Sequence, residues 1–363
     1  MNWTTRSPWA LGALMAAIAT LTLVPGRADA QREAFFQKLQ ADTQLSVRKG
    51  LDYLQNKQND DGSWTEKIGR KVHMHYEGSL GKHVGVTSLA CMAFLAHGSL
   101  PDRGPYHESL QRGLNFVLRS VQQNGFITNQ NSRMYSHAFA TLFLAEVYGT
   151  TQNEEVHRKL KNSVALIVKA QNEAGGWRYQ PAAPDSDMSI TVCQVMALRA
   201  ARNAGIHVPK ATIDKAIKYV KDSFRESRGS FLYQAQIDQW GRREPSRDSF
   251  SLAAAGVTAL YGAGEYEGPY IRGGLKYMRE QRFPRSRARN SFDYYYGMYY
   301  GTQAAFQAGG EYWSEWYASV WTDLLWLQQR DGSWKDQVGR NYATAMACVI
   351  LQIPYQYLPI FER

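Results

Sequence analysis

The sequence predicts an all-α protein, an α6/α6 toroid (barrel) of six helical hairpins, and three observations carry that prediction. A helix ending with the spacing Gln-x-x-x-Gly-x-Trp occurs at Gln58 to Trp64, Gln171 to Trp177 and Gln328 to Trp334. Each copy is an amphipathic stretch stopped by an Asx/Gly turn with an indole just beyond it, and worn copies at Phe126, Phe231 and Phe292 complete a six-unit repeat. Helices charged along one face alternate with helices that are apolar nearly all round, so an outer layer should wrap an inner one. The last unit is as apolar as the others, which favours a closed ring over an open superhelix with polar end caps.

In chain order, residues 1–30 read as a secretory signal. Arg6 precedes the apolar run Ala10 to Val24, and Ala28-Asp29-Ala30 is a small-x-small cleavage site. The run is shorter than the roughly 20 residues a membrane span needs, although an uncleaved anchor is the alternative. The mature chain should start near Gln31 in a secreted or periplasmic location, with 31–41 a linker and 42–363 one toroid domain. Its hairpins are expected at 42–58 with 83–97, 107–123 with 134–148, 154–171 with 187–204, 210–224 with 248–263, 268–281 with 293–308, and 313–329 with 340–352. No later segment is apolar enough to span a membrane.

At 363 residues and 44% hydrophobic, the chain can bury a sizeable core. Its net charge of +10 favours anionic partners, and an exported protein is not expected to meet nucleic acid. Cys91, Cys193 and Cys348 lie in apolar helical runs and give no disulfide framework.

Every loop from an outer to an inner helix lies at one end of such a toroid, and these are the long loops. They should line a ligand mouth. Loops 225–247 and 282–292 are rich in arginine, among them Arg242, Arg243, Arg247, Arg285, Arg287 and Arg289. Guanidinium forks suit phosphate, sulfate or carboxylate; a solvated rim is the alternative. Tyr295/Tyr299 and Tyr296/Tyr300 form two stripes down one inner helix, able to line an aromatic cavity or simply to pack. Tyr135 and His137 stand at the start of another inner helix. His73 and His75 could share a face if extended, but no acid or cysteine at ligand spacing supports a metal, and neither metal nor cofactor is expected.

The stretch Lys49-Gly50-x-x-Tyr53-Leu54-x-x-x-Gln58-x-x-x-Gly62-x-Trp64 resembles the QW motif of squalene and oxidosqualene cyclases. Arg112-Gly113-Leu-Asn-Phe116-Val117 and Lys215-Ala-Ile-Lys-Tyr219-Val220 resemble its first half. The resemblance spans 42–352 and implies the α/α toroid of terpenoid cyclases and protein prenyltransferases. It says less of activity, because the same architecture serves other chemistries. Alkene-protonating cyclases carry Asp-x-Asp-Asp-Thr at the start of an inner helix, where this chain has Asp185-Ser-Asp187-Met188-Ser189. The resemblance thus implies Asp187, with Asp185 before it, at the general-acid position. Met188 leaves the motif incomplete, and Asp187 also suits a helix N-cap. Asp187 and Cys193 are six residues apart, on different helix faces, which does not suit the prenyltransferase zinc site.

The expected function is therefore binding of an anionic or amphiphilic, isoprenoid-like ligand in the central funnel, with a protein partner as another possibility. The alternative is a secreted enzyme, either isoprenoid cyclase-like through Asp187 or acting on an acidic polysaccharide.

Overall fold

Twelve α-helices form among the described residues, two for each repeat: α1 (Pro25–Asn56), α2 (Val84–Ala96), α3 (His107–Arg119), α4 (Met134–Thr151), α5 (Glu154–Ala170), α6 (Met188–Asn203), α7 (Lys210–Asp222), α8 (Phe250–Gly262), α9 (Pro269–Glu280), α10 (Tyr294–Ala308), α11 (Gly310–Leu327) and α12 (Arg340–Gln352). The structure is a computed structural model that describes residues 25–69, 77–235, 246–281 and 293–361. The chain divides after Ser46 into two units, and the ring described below belongs to Val47–Arg363. The first helix starts earlier than its periodicity predicts. The expected cleavage site and the linker 31–41 both fall inside α1.

The layering follows from the apolar pattern. On α5, Val156, Leu160, Ser163, Val164 and Ile167 are buried in one stripe, while Arg158, Lys161 and Lys169 lie off it. Every residue of α2 and of α8 is buried, so neither helix has a solvent face. The even-numbered helices form the inner layer: α2 packs on α4, then α4 on α6, α6 on α8, α8 on α10 and α10 on α12. Helix α12 packs in turn on α2, so the ring is closed.

The recurring turn is what fastens the layers. The Trp64 indole N–H donates to the Leu54 carbonyl at 2.8 Å, and its backbone N–H donates to Thr87 Oγ1 on α2 at 3.0 Å. The Gln58 amide donates to the carbonyls of Gly62 at 3.0 Å and Ser109 on α3 at 2.8 Å. One turn therefore ties its own outer helix, its own inner helix and the next outer helix. Trp177 repeats the pattern with Ile167 and Thr191, and Gln171 with Gly175 and Thr212. Trp334 does so with Leu324 and Thr344. The three cysteines are free and buried; Cys91 faces Gly113, and Cys348 faces the equivalent Gly50.

Two features escaped the helical periodicity. The mouth loops contain short antiparallel ladders, β1 (Thr65–Ile68) with β2 (Ser79–Lys82) and β3 (Phe224–Arg225) with β4 (Ser230–Phe231). At the other end, 3-10 turns at Ile353–Tyr355 and Pro359–Phe361 bring Phe361 edge-on to Tyr299, with ring centroids 6.3 Å apart. They leave a void of about 10 Å³ beside Arg199, Thr258, Gln303 and Phe361, room for a single water.

Candidate functional site

All six inner helices begin at the mouth, so their positive dipole ends face the same way. Around this rim the side chains of repeats two to five meet in one cluster. Asp187 is the N-cap of α6 and is fully buried. Its Oδ1 accepts from the Ser189 hydroxyl at 2.5 Å and from the Ile190 N–H at 3.0 Å. Its Oδ2 accepts from Arg178 Nη1 at 2.9 Å. Burial pushes the Asp187 carboxyl above its ordinary pKa, against the lowering effect of those donors. Capping and a buried ion pair thus account for the side chain's geometry.

Arg178 organises the outer part of the cluster. Its Nε contacts Asp185 Oδ2 at 3.1 Å and its Nη1 donates to the Tyr233 hydroxyl at 3.2 Å. The guanidinium also lies 4.8 Å from the centre of the Tyr179 ring and 5.6 Å from that of Tyr233. The two tyrosine hydroxyls are hydrogen-bonded at 2.5 Å. Arg247 lies over the Tyr233 ring at 4.5 Å. The result is a half-buried collar of alternating tyrosine and arginine.

From the far side of the ring, Tyr296 on α10 donates to the Ser189 carbonyl at 3.0 Å. Tyr300, one turn deeper, is hydrogen-bonded to Cys193 at 3.2 Å. Helix α8 stands between α6 and α10, so these bonds cross the lumen. Tyr135 on α4 donates to Ser189 Oγ at 2.7 Å, and its ring meets Tyr296 edge-on at 6.4 Å. A chain of donors therefore runs Tyr135 to Ser189 to Asp187. Burial raises the pKa of Tyr135, Tyr296 and Tyr300 and pushes the Cys193 thiol up to about 12. Cys193 is thus a protonated thiol in this structure.

The other candidates fall in different places. Tyr295 is buried and packs edge-on against Tyr294 and Tyr342, between α10 and α12, away from the collar. His137 was expected at the mouth and is instead fully buried. Its Nδ1 accepts the Ile127 N–H at 3.0 Å, the task that Thr87 and Thr191 perform in repeats one and three. Burial lowers its pKa to about 3, so the ring is neutral. Arg225 and Arg228 were expected in a basic patch, and both contact Asp248, at 3.4 and 3.3 Å. Arg242, Arg243, Arg285, Arg287, Arg289, His73 and His75 lie outside the described residues. Among the described residues no group of three or more His, Cys, Asp or Glu side chains is placed to hold a metal, and no helix is long and apolar enough to cross a membrane.

Arg178, Tyr179, Ser189 and Tyr233 were missed by motif reading. A register argument would have found two of them, since Tyr179 and Tyr233 each stand two residues after a turn aromatic, Trp177 and Phe231.

A closed ring of six hairpins, three of them held by glutamine–tryptophan turns, defines an α/α toroid of the QW-repeat kind. Residues 33–148 match the squalene-hopene cyclase C-terminal domain family. Over 173 residues the chain is 28% identical to drimenyl diphosphate synthase of Streptomyces showdoensis, covering 47% of this chain and 30% of that protein. The match thus spans under a third of the relative's length. Among solved structures, a variant of the type II terpene cyclase MstE from Scytonema, in complex with geranylgeranyl dihydroxybenzoate, superposes with a TM-score of 0.60 at 12% identity, covering 89% of this chain and 99% of that one. A GH76 α-mannanase of Bacteroides thetaiotaomicron superposes with a TM-score of 0.61 at 10% identity, covering 85% and 94%. These structures share the fold. The chain has the α/α-toroid fold of the terpenoid cyclases, and residues 33–148 carry the likeness to the squalene-hopene cyclase family.

Proposed function

We propose that the protein binds an anionic, isoprenoid-type amphiphile at the mouth of the toroid, outside the cytoplasm. The observation that carries this reading is the collar in which Arg178 is stacked on Tyr179 and Tyr233 and Arg247 lies over Tyr233. Tyrosine faces offer an apolar and cation-tolerant surface for the chain of such a ligand, and converging helix N-termini favour an anionic head. The Tyr233 N–H also donates to the Arg247 carbonyl at 2.7 Å, which ties the backbone of Arg247 to the collar. The reading of residues 1–30 as an export signal is what supports a location outside the cytoplasm. Relatives that act on isoprenoids add weight through fold and partial sequence likeness.

Alkene protonation is not part of this reading, because both Asp187 oxygens are engaged by donors. A second reading, an enzyme using Asp187 as acid, rests on the donor chain from half-buried Tyr135 through Ser189.

Calorimetric titration with geranylgeranyl diphosphate and with a uronic-acid oligosaccharide tests the proposal. The diphosphate should bind, the sugar should not, and Arg247→Gln should weaken binding about tenfold, or about 1.4 kcal/mol. Binding of the sugar alone, or of neither, overturns it. Cyclised product formed by the wild type and abolished in Asp187→Asn would establish the enzymatic reading instead.

A further inference from the structure

The inner helices of repeats two and three share a capping device with the closing repeat, and one chemical difference sets the closing repeat apart. The Met134 N–H at the start of α4 donates to the Tyr179 carbonyl of repeat three at 3.1 Å. The Met188 N–H at the start of α6 donates to the Tyr233 carbonyl of repeat four at 2.8 Å. Each acceptor stands two residues after its turn aromatic and caps the inner helix of the preceding repeat. In repeat one that position is Glu66, two residues after Trp64, and the preceding repeat around the ring is the sixth. Here the acceptor is a side chain. Glu66 Oε2 takes the N–H groups of Asn341 at 2.8 Å and Tyr342 at 3.3 Å, in the first turn of α12.

Nothing local does this work, since the N-cap of α12 is Gly339 and makes no side-chain bond. Gly339 has φ +153°, and any Cβ there would overlap the Glu66 carboxyl. A second strap runs alongside: the Asn341 side-chain amide donates to the Thr65 carbonyl at 3.0 Å. Repeats one and six are thus joined at the mouth by strand β1 and the first turn of α12.

We propose that this closing seam is a proton-sensitive joint with Glu66 as its latch. A backbone carbonyl cannot titrate, and a carboxyl can. Glu66 is 7% exposed; among the described residues Lys67 lowers its pKa while pairing with Glu77, and Arg340 pairs with Asp331 at 2.9 Å. Asp336, in the loop before α12, adds like charge, and Tyr342 and Tyr53 are further titratable groups around it among the described residues. Burial, with Asp336, outweighs the two N–H bonds and raises Glu66 from 4.5 to about 7. The closed seam therefore holds its proton more tightly than the open one. Its added stability is complete below about 4.5, falls as pH rises from about 4.5 to about 7, and is gone above that. Rising pH loosens the joint at the mouth.

Hydrogen exchange on the whole protein between pH 5 and 8 tests this, read as protection factors corrected for intrinsic rates. Protection of the Asn341–Thr344 amides should fall close to tenfold per pH unit up to about pH 7 and then level off. In Glu66→Gln, which keeps an acceptor and has no charge to gain, the same amides should show no such decline. The first turn of α4, capped by a backbone carbonyl, should not lose protection with rising pH in either protein. A flat profile in the wild type, an equal slope in Glu66→Gln, or a parallel loss in α4 each overturns the latch.

Discussion

Gly332 lies flat against the backbone of Lys49: a Cβ on Gly332 would overlap the Lys49 carbonyl oxygen. The sixth turn thereby packs on the first outer helix in the manner that Gly62 packs on Arg112 and Gly175 on Lys215. Gly332 also has φ +85°, so alanine there meets both an unfavourable backbone conformation and a backbone collision. Gly332→Ala should lower unfolding stability by about 2–4 kcal/mol in urea titrations. Gly205 has the same φ of +85° with open space around it. Gly205→Ala should cost only about 1–2 kcal/mol, the backbone part alone.

The Thr191 hydroxyl accepts the buried Trp177 N–H at 3.1 Å. Thr191→Val keeps the side-chain shape and leaves that donor without a partner. A loss of about 1–3 kcal/mol is expected by the same titration, with little change in ligand affinity.

His137 is neutral in the fold, with its pKa lowered to about 3 from an ordinary 6.5. The unfolded chain takes up a proton first, so the contribution is complete above about 6.5 and is lost as pH falls toward 3. His83, the N-cap of α2, is lowered to about 4 and acts in the same direction. His137→Asn retains an acceptor for Ile127 and should flatten the acid limb of a stability–pH curve by about one proton's slope. An unchanged limb would place the titrating groups elsewhere. Glu66 works in the opposite direction over an overlapping window, so the two effects need separate variants.

Asp187 joins the cap of α6 to Arg178. Asp187→Asn removes the charge that Arg178 Nη1 faces and should destabilise by about 2–4 kcal/mol, moderated because Asp185 stays in place. Tyr135→Phe, which removes only the donor to Ser189, should cost about 1 kcal/mol. Chemical denaturation of both variants checks the order.

The sequence by itself determined the architecture. Periodic apolar stripes separate outer from inner helices, and the Gln-x-x-x-Gly-x-Trp spacing dictates where three of the outer helices stop, because local sequence sets both the burial pattern and the turn chemistry. It also brought Asp187 to the start of α6, since a helix cap is a local device. Tertiary structure alone decided the rest. Tyr135, Ser189 and Tyr296 meet although Ser189 and Tyr296 are 107 residues apart, and Glu66 caps Asn341 across 275 residues. Which side chains face one another across a ring depends on the angular setting of helices that share no sequence register. For the same reason His137 looked like a rim residue when read in its own helix. It became the fastener of repeat two only once Ile127 was folded beside it.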